Sequence, residues 1–304
     1  MFTLASEPLI QEIKLDEKPK GIRLFVKRED LIHPILSGNK WRKLKYNLEQ
    51  AKKEGHKVLL TFGGAYSNHI HAVAGAARQF GFRSIGIIRG EEHLPLNPTL
   101  KQATEMGMAL FYMDRRTYRQ KQTKEVINDL RELFGDFYLV PEGGTNELAI
   151  KGAAEIVAGL ADNYDYVVVA CGTGGTASGI IAGLEGRSEV IGFSVLKGDF
   201  LEQEVDHWLS KAGKQELANW SINTDYHFGG YAKFNDTLIH FINDFKERNK
   251  VPLEPIYTGK MMFGTFDLIE KGYFPAGSRI LAIHTGGLQG IRGFNQRFGK
   301  MINV

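Results

Sequence analysis

The sequence has little that would mark a secreted, membrane or nucleic-acid-binding protein. It contains a single cysteine, Cys171, so no disulfide can form within the chain, which is typical of a reducing compartment. The net charge is only +3, and no block of lysine and arginine alternates with aromatic residues. No apolar run approaches the roughly 20 residues of a membrane span, and residues 1–18 lack a secretory pattern. We therefore expect a cytoplasmic protein without a nucleic-acid or membrane partner.

The sequence also lacks the residue spacings that are typical of metal sites. His69 and His71 lie two positions apart, so they would point to different faces of one helix, and the sequence shows no other spacing typical of a metal site. Cys171 directly precedes a glycine cluster, and we interpret it as a packed small residue rather than a nucleophile. We expect no bound metal.

The sequence does contain a regular alternation of apolar runs and helical patterns. Between most of the apolar runs, apolar side chains recur at intervals of three and four, as at Leu44, Leu48 and Ala51. Alternating strands and helices predict an α/β fold with mostly parallel sheets covered by helices on both faces. Eight or more strands in 304 residues predict two such sheets. The predicted strands are residues 22–29, 57–63, 83–90, 109–114, 137–143, 166–172, 189–196 and 279–287.

Glycine clusters follow several of these strands, at the sheet edge where ligands of α/β proteins bind. In "CGTGGTASG", glycines let backbone N–H groups converge and a helix N-terminus follows, which predicts a phosphate site. No Gly-Lys-Ser/Thr follows, so the segment is not a Walker A loop, but its G-x-G-x-x-A spacing keeps a dinucleotide enzyme open as an alternative. The phosphate-binding candidates are Gly172, Thr173, Gly174, Gly175 and Thr176.

Three further segments carry polar groups at predicted strand or helix ends. In "GGAYSNH", Ser67 and Asn68 could either cap a helix or face an anionic ligand. The segments "YTGK" and "IHTGG", taken alone, are each more typical of a turn than of a site. Lys40, in "SGNKWRK", lies where a loop becomes a helix, and a lysine there is usually a solvated charge.

Taken together and in order, six segments resemble one family. "SGNKWRKLKY", "GGAYSNH", "CGTGGTASG", "FGGYAKFN", "YTGK" and "IHTGG" are similar to those of 1-aminocyclopropane-1-carboxylate deaminases and D-cysteine desulfhydrases, and the resemblance spans residues 25–290. These are pyridoxal-phosphate enzymes of the tryptophan synthase beta fold, also called fold type II. The resemblance implies a larger cofactor-binding domain (residues 1–46 and 150–304), a smaller domain (47–149), an active site between them, and a homodimer.

The resemblance also assigns roles to residues around the cofactor. It implies that Lys40 forms an imine with the cofactor aldehyde and that Lys43, on the same helix face, lies at the phosphate, whereas Arg42 points elsewhere. It implies that Asn68 hydrogen-bonds the ring oxygen, and that Ser67 binds the substrate carboxylate or transfers a proton.

Residues 172–176 then correspond to the phosphate cup. Tyr231 and Tyr257 correspond to two tyrosines over the substrate, and Thr258 to the position that faces the pyridine nitrogen.

Two departures from the deaminase pattern indicate the reaction. The deaminases carry glutamate in "YEGK" where this chain has Thr258, and glutamine where it has His69. A neutral hydroxyl at the ring nitrogen makes a weaker electron sink, which suits loss of a good leaving group. We expect elimination of sulfide from D-cysteine, with deamination of the cyclopropane amino acid as the alternative, and serine dehydration or racemisation also open.

The substrate is less well indicated than the cofactor. Ala65 and Tyr66 replace an apolar-Gln pair of the family, and the chain is short for the family. Two hypotheses from other classes also remain: an NAD-dependent enzyme, and a binder with this fold but without turnover.

Overall fold

The strands divide into two sheets, as the alternation of strands and helices predicts. The structure, a computed structural model, describes residues 7–15 and 21–303, so half of the leading segment 1–18, which lacks a secretory pattern, lies outside the described residues. The described strands are β1 (Ile10–Ile13), β2 (Arg23–Lys27), β3 (Val58–Gly63), β4 (Arg83–Arg89), β5 (Met108–Met113), β6 (Tyr138–Val140), β7 (Tyr166–Cys171), β8 (Glu189–Ser194), β9 (Trp220–Asn223) and β10 (Arg279–Ile283).

The helices follow the strands along the chain, and short 3-10 turns at Glu29–Leu31 and Glu142–Gly144 supplement them. The described helices are α1 (Asn39–Lys53), α2 (Asn68–Phe80), α3 (Pro98–Glu105), α4 (Arg115–Arg119), α5 (Lys124–Phe134), α6 (Glu147–Ala154), α7 (Gly175–Leu184), α8 (Phe200–Lys211), α9 (Asp236–Asn249), α10 (Thr258–Glu270) and α11 (Gly290–Phe298). None of the helices within 7–15 and 21–303 is long and apolar enough to cross a membrane.

The larger sheet has six strands in the order β1-β2-β10-β7-β8-β9. Only the β1–β2 pair is antiparallel; the other neighbours are parallel, for example with Ile283 of β10 opposite Lys27 of β2. The edge strands β1 and β9 were not predicted, because each has four residues and mixes polar with apolar side chains. The smaller sheet, β5-β4-β3-β6, is parallel throughout. The prediction of two mostly parallel sheets is confirmed.

Helices cover both faces of the smaller sheet because its central strand is apolar on both sides. Every residue of β3 is buried. Leu59 packs in a cluster with Leu44 of α1, whereas the neighbouring Leu60 packs in a separate cluster with Leu130 of α5. The predicted helical stripe of Leu44, Leu48 and Ala51 is fully buried, so α1 lies against this sheet.

The larger sheet is covered in the same way. In β7, Val168 packs in a cluster with Met261 of α10, and the adjacent Val167 packs in another with Ile180 of α7. Because neighbouring strands are parallel, the loops after β2, β7 and β10 emerge at one edge of this sheet. The loop after β3 leaves the corresponding edge of the smaller sheet. The candidate residues of the sequence therefore lie at strand ends.

Candidate active site

Lys40 is held at the start of α1 by the loop that follows β10. Gly38 precedes the helix with φ of 66°, and a Cβ there would lie 2.0 Å from the carbonyl oxygen of Thr285. The Asn39 N–H donates to the same oxygen at 3.2 Å, and the Asn39 side chain donates to Thr176 Oγ1 at 2.9 Å. Burial lowers the pKa of Lys40 to about 8, which makes its amine a better nucleophile and base near neutral pH than a solvated lysine.

Lys43 lies on the same face of α1 and is 2% exposed. Its ammonium donates to the carbonyl of Gly143 at 2.7 Å and to Thr145 Oγ1 at 2.8 Å. Thr145 Oγ1 in turn lies 2.8 Å from Thr173 Oγ1. Burial, and then the charge of Lys40, lower the pKa of Lys43 well below its ordinary value. Two described contacts use two of three ammonium donors, so the third is available for an anion beside Thr173.

The glycine cluster after β7 forms the start of α7. Gly174 precedes the helix with φ of 72°, and among the described residues no side chain caps this end, so its first N–H groups can bind an anion. A Cβ on Gly175 would lie 2.6 Å from the Thr145 side chain, so glycine is needed for this close approach. Thr176 is held by Asn39, next to Lys40.

Ser67 and Asn68 begin α2 after the glycine turn that ends β3. Ser67 Oγ accepts from the N–H groups of His69 at 3.2 Å and Ile70 at 3.3 Å, so the capping interpretation of Ser67 is confirmed. The Asn68 amide nitrogen lies 3.1 Å from the place that a Cβ on Gly287 would occupy. Asn68 therefore faces the loop after β10, the same loop that holds α1.

Tyr231 and Tyr257 lie side by side. Their ring centroids are 6.1 Å apart and their planes are inclined by 71°. A Cβ on Gly172 would lie 3.2 Å from the Tyr257 ring, which places Tyr257 over the beginning of the glycine cluster. Burial raises the pKa of Tyr257 well above its usual value, so the hydroxyl stays protonated, whereas Tyr231 is 45% exposed.

Thr258 is the first residue of α10 and is fully buried. Glu254 makes hydrogen bonds to both its backbone and its side chain. The Glu254 carboxylate accepts from the N–H groups of Ile256, Tyr257 and Thr258 at 2.6 to 2.8 Å. The Thr258 hydroxyl accepts from the Glu254 N–H at 3.1 Å and lies 3.2 Å from Glu254 Oε1. Burial nevertheless raises the pKa of Glu254. Glu254 thus fixes the helix end that carries Tyr257 and Thr258.

Several other candidate residues of the sequence analysis make structural contacts. Arg42 points away from Lys40, as the helical spacing predicts, and makes a bidentate pair with buried Glu29 at 2.9 and 3.1 Å. His69 is buried with Nε2 at 2.8 Å from Thr61 Oγ1. Cys171 is packed in the core, where burial raises the pKa of its thiol to about 12. Within the described ranges, no group of three or more His, Cys, Asp or Glu side chains could hold a metal.

The site also contains residues that the sequence analysis missed. Thr145 and Glu254 act through hydrogen bonds to Lys43 and Thr258, and Lys260 lies buried one turn after Tyr257. Of these, Lys260 lies within the motif "YTGK", although the sequence analysis gave it no role. Glu254 had a weaker signal, since an acidic side chain is favourable near a helix N-terminus.

The chain is similar to known proteins over most of its length. A family model described as "Pyridoxal-phosphate dependent enzyme" matches residues 4–286. A Pyrococcus horikoshii protein named "Putative 1-aminocyclopropane-1-carboxylate deaminase" is 31% identical over 93% of this chain and 90% of its own. A Thermotoga maritima protein with the same name is 30% identical over 93% of this chain and 94% of its own. A crystal structure of an "ACC deaminase homologue" superposes with a TM-score of 0.83 at 28% identity, covering 98% of this chain and 94% of that one.

The residues present fit pyridoxal phosphate. Lys40 offers an amine with a lowered pKa, and the uncapped end of α7 beside Lys43 offers donors for a phosphate. A Cβ on Gly287 would lie 3.1 Å from the Asn68 amide and 3.2 Å from Glu254 Cγ, so glycine lets the loop after β10 approach both residues. The loops thus provide an amine for an aldehyde and donors for a phosphate, the two groups that pyridoxal phosphate presents.

Proposed function

Since the chain belongs to the pyridoxal-phosphate dependent enzymes, we propose that it breaks down a small amino acid to a 2-oxo acid and ammonia, with D-cysteine as the preferred substrate. D-cysteine and water would yield pyruvate, ammonia and hydrogen sulfide. The observation that carries the choice of substrate is the buried hydroxyl of Thr258, which is hydrogen-bonded to Glu254.

The cofactor, when bound, supplies an electron sink for charge that develops on the substrate α-carbon. In this proposal Lys40 holds the cofactor aldehyde and, once freed by the substrate, takes the α-proton; its lowered pKa favours both roles. Lys43 and Thr173 hold the phosphate, and Asn68 orients the ring. Tyr257 and Tyr231 cover the substrate, and Ser67, whose hydroxyl keeps its own proton to donate while its oxygen caps α2, binds the substrate carboxylate.

Thr258 favours elimination of sulfide for an electronic reason. A neutral hydroxyl holds a proton on a ring nitrogen less firmly than a carboxylate would, because a charge-assisted hydrogen bond is stronger. The sink is then weaker, which suits departure of sulfide better than cleavage of a carbon–carbon bond. The sulfide leaves from the β-carbon with the bonding electron pair, and water completes release of pyruvate and ammonia.

Deamination of 1-aminocyclopropane-1-carboxylate is the second candidate. The names of the 30 to 31% identical relatives favour it. Its product would be 2-oxobutanoate rather than pyruvate, and no sulfide would form, so the two reactions are separated by their products.

The first experiment is an assay of the cofactor-loaded protein with D-cysteine, L-cysteine, D-serine and 1-aminocyclopropane-1-carboxylate. Sulfide and pyruvate from D-cysteine are expected, and turnover of the cyclopropane substrate alone would overturn the choice. Borohydride reduction followed by peptide mapping should place a phosphopyridoxyl group on Lys40. A label elsewhere would contradict the assignment of Lys40, and a label on Lys40 with no turnover of a broad amino-acid panel would favour a binder.

The resemblance also supports a homodimer in the cytoplasm and a cleft between domains 1–46 with 150–304 and 47–149. Sedimentation equilibrium of the loaded protein tests the first: a mass of one chain would contradict it.

A further inference from the structure

The loop that carries Tyr231 has an unusual backbone. Phe228 and Ala232 have φ of 55° and 56°, and Gly229 and Gly230 have φ of 92° and 117°. A left-handed conformation costs a non-glycine residue about 1–2 kcal/mol. Such a loop keeps one conformation only when contacts outside it hold it in place.

Lys260 supplies those contacts. Its side chain is fully buried, and its Nζ donates to the carbonyl oxygens of His227 and Gly230, each at 2.9 Å. Nowhere in the described part of the chain does a carboxylate form an ion pair with this ammonium. A buried cation is costly unless it is bonded, so the lysine and the two carbonyls depend on each other. Burial lowers the pKa of Lys260 to about 8, and a neutral amine still has two N–H donors for two carbonyls.

Lys260 also lies on the helix that presents the other tyrosine. Tyr257 immediately precedes α10, and Lys260 is the third residue of that helix. Glu254 fixes this helix end through the N–H groups of Tyr257 and Thr258. One rigid element therefore positions Tyr257 directly and reaches the Tyr231 loop through Lys260.

We propose that Lys260 is a positioning residue that holds Tyr231 against Tyr257 by binding the carbonyls of His227 and Gly230. Tyr231 follows Gly230 directly, so the anchored carbonyl is one peptide away from the residue it positions. The inference rests on the proposed function, in which both tyrosines cover the substrate.

The test is a double-mutant cycle between Lys260→Met and Tyr231→Phe in the loaded enzyme, with the amino acid that the panel identifies as substrate. Lys260→Met should lower kcat/KM about ten- to a hundred-fold, because a group misplaced by about 1 Å at the substrate can cost about a hundred-fold. In the Tyr231→Phe background it should cause little further loss, because the residue it positions is already altered. Equal losses in both backgrounds would overturn the proposal and leave Lys260 a structural residue.

Two further variants test whether the effect is specific to the donors of Lys260. Lys260→Arg keeps donors for both carbonyls and should recover most of the activity. Lys271→Met, at the exposed end of α10, removes a lysine that pairs with Asp267 and should leave kcat/KM unchanged. Loss of activity in Lys271→Met as large as in Lys260→Met would contradict a specific role.

A second readout does not depend on turnover. In the cofactor-free protein, Lys260→Met should accelerate hydrogen exchange at residues 227–234 while α9 keeps its protection. Lys260→Leu, which also lacks N–H donors, serves if Lys260→Met does not fold. Unchanged hydrogen exchange in the loop would overturn the proposed role of Lys260. Faster exchange in the loop, together with no borohydride label on Lys40, would support the role of Lys260 and reject the proposed function instead.

Discussion

At the scale of single residues, the site gathers lysines whose charge is poorly solvated. Lys40, Lys43 and Lys260 all have pKa values lowered by burial. For a base, a lower pKa in the folded than in the unfolded state means that the folded state binds fewer protons between the two values. Each such lysine therefore destabilises the folded protein at neutral pH, and the destabilisation is relieved as the pH rises. For Lys40 this cost accompanies reactivity, because an amine that loses its proton near pH 8 can act as a nucleophile.

Lys40→Met should expose this pH dependence. Below pH 8, the cofactor-free variant should be more stable than the natural protein, because it lacks the buried charge. The difference should shrink as the pH rises from about 8 toward 10.5, the folded and ordinary pKa values of Lys40. Urea unfolding of both proteins at pH 7, 8, 9 and 10 measures it. A difference independent of pH would mean that Lys40 is solvated in the folded protein.

Thr145→Val tests a residue that only the structure revealed. The isosteric change removes the hydroxyl that joins Lys43 to Thr173 at 2.8 Å on each side. Losing this bond to a buried charge should weaken cofactor binding by roughly 1.5–3 kcal/mol, about ten- to a hundred-fold. Titration with pyridoxal phosphate, followed by absorbance, measures the affinity. Thr104→Val, whose hydroxyl donates only to Lys101 at the surface, is the matched control, and equal effects would refute the role of Thr145.

At the scale of elements, α1 is positioned by its two flanking glycines in different ways. Gly38 and Gly55 both have positive φ, of 66° and 81°. A Cβ on Gly38 would lie 2.0 Å from the Thr285 carbonyl oxygen, whereas a Cβ on Gly55 would meet nothing within 4 Å. Close approach of the loop after β10 therefore sets where α1 begins, and with it the location of Lys40.

Gly38→Ala and Gly55→Ala form a matched pair. Gly55→Ala should cost about 1 kcal/mol, the usual penalty for a side chain at positive φ. Gly38→Ala should cost clearly more, above about 2 kcal/mol, because backbone must move, and it should also lower the yield of the borohydride label on Lys40. Urea unfolding and quantitative peptide mapping measure both effects. Similar stability losses in the two variants would show that α1 can shift without strain.

At the scale of the whole molecule, the site is assembled from loops of both sheets. Lys43 donates to Gly143 and Thr145, which follow β6 of the smaller sheet. Thr145 in turn contacts Thr173, in the glycine cluster that follows β7 of the larger sheet. Asn68, after β3, faces Gly287, after β10. A cofactor bound at this place, as proposed, would contact loops from each sheet and would stabilise both together.

Binding of pyridoxal phosphate should therefore protect amides in both parts of the chain. At about 100 times its Kd, the cofactor should raise the free energy of unfolding by about 2.7 kcal/mol. Hydrogen exchange should slow at residues 67–70 and 143–145 as well as at 172–176 and 285–288. Protection confined to 172–176 would mean that the phosphate cup binds the ligand without the smaller sheet.

The sequence was informative wherever a pattern is local. The strands β2 to β8 and β10 were predicted because each carries an apolar run, whereas β1 and β9 were missed because half of each is polar. Lys40, Asn68 and the glycine cluster were predicted as site residues because each belongs to a short motif to which the family resemblance gives a role. The order of these motifs was enough to indicate the family.

By itself, the sequence determined the α/β class and the glycine turns at strand ends, since each depends on residues close together in the chain, and the order of its motifs indicated the cofactor through the family resemblance. Only the tertiary structure decided that Thr145 links Lys43 to Thr173, that Glu254 surrounds Thr258, and that Lys260 holds the loop before Tyr231. The bonds of Thr145 to Thr173 and of Lys260 to Gly230 join residues 28 and 30 positions apart. Threonine, glutamate and lysine carry no periodic signal, so their partners depend on how the sheets and helices pack.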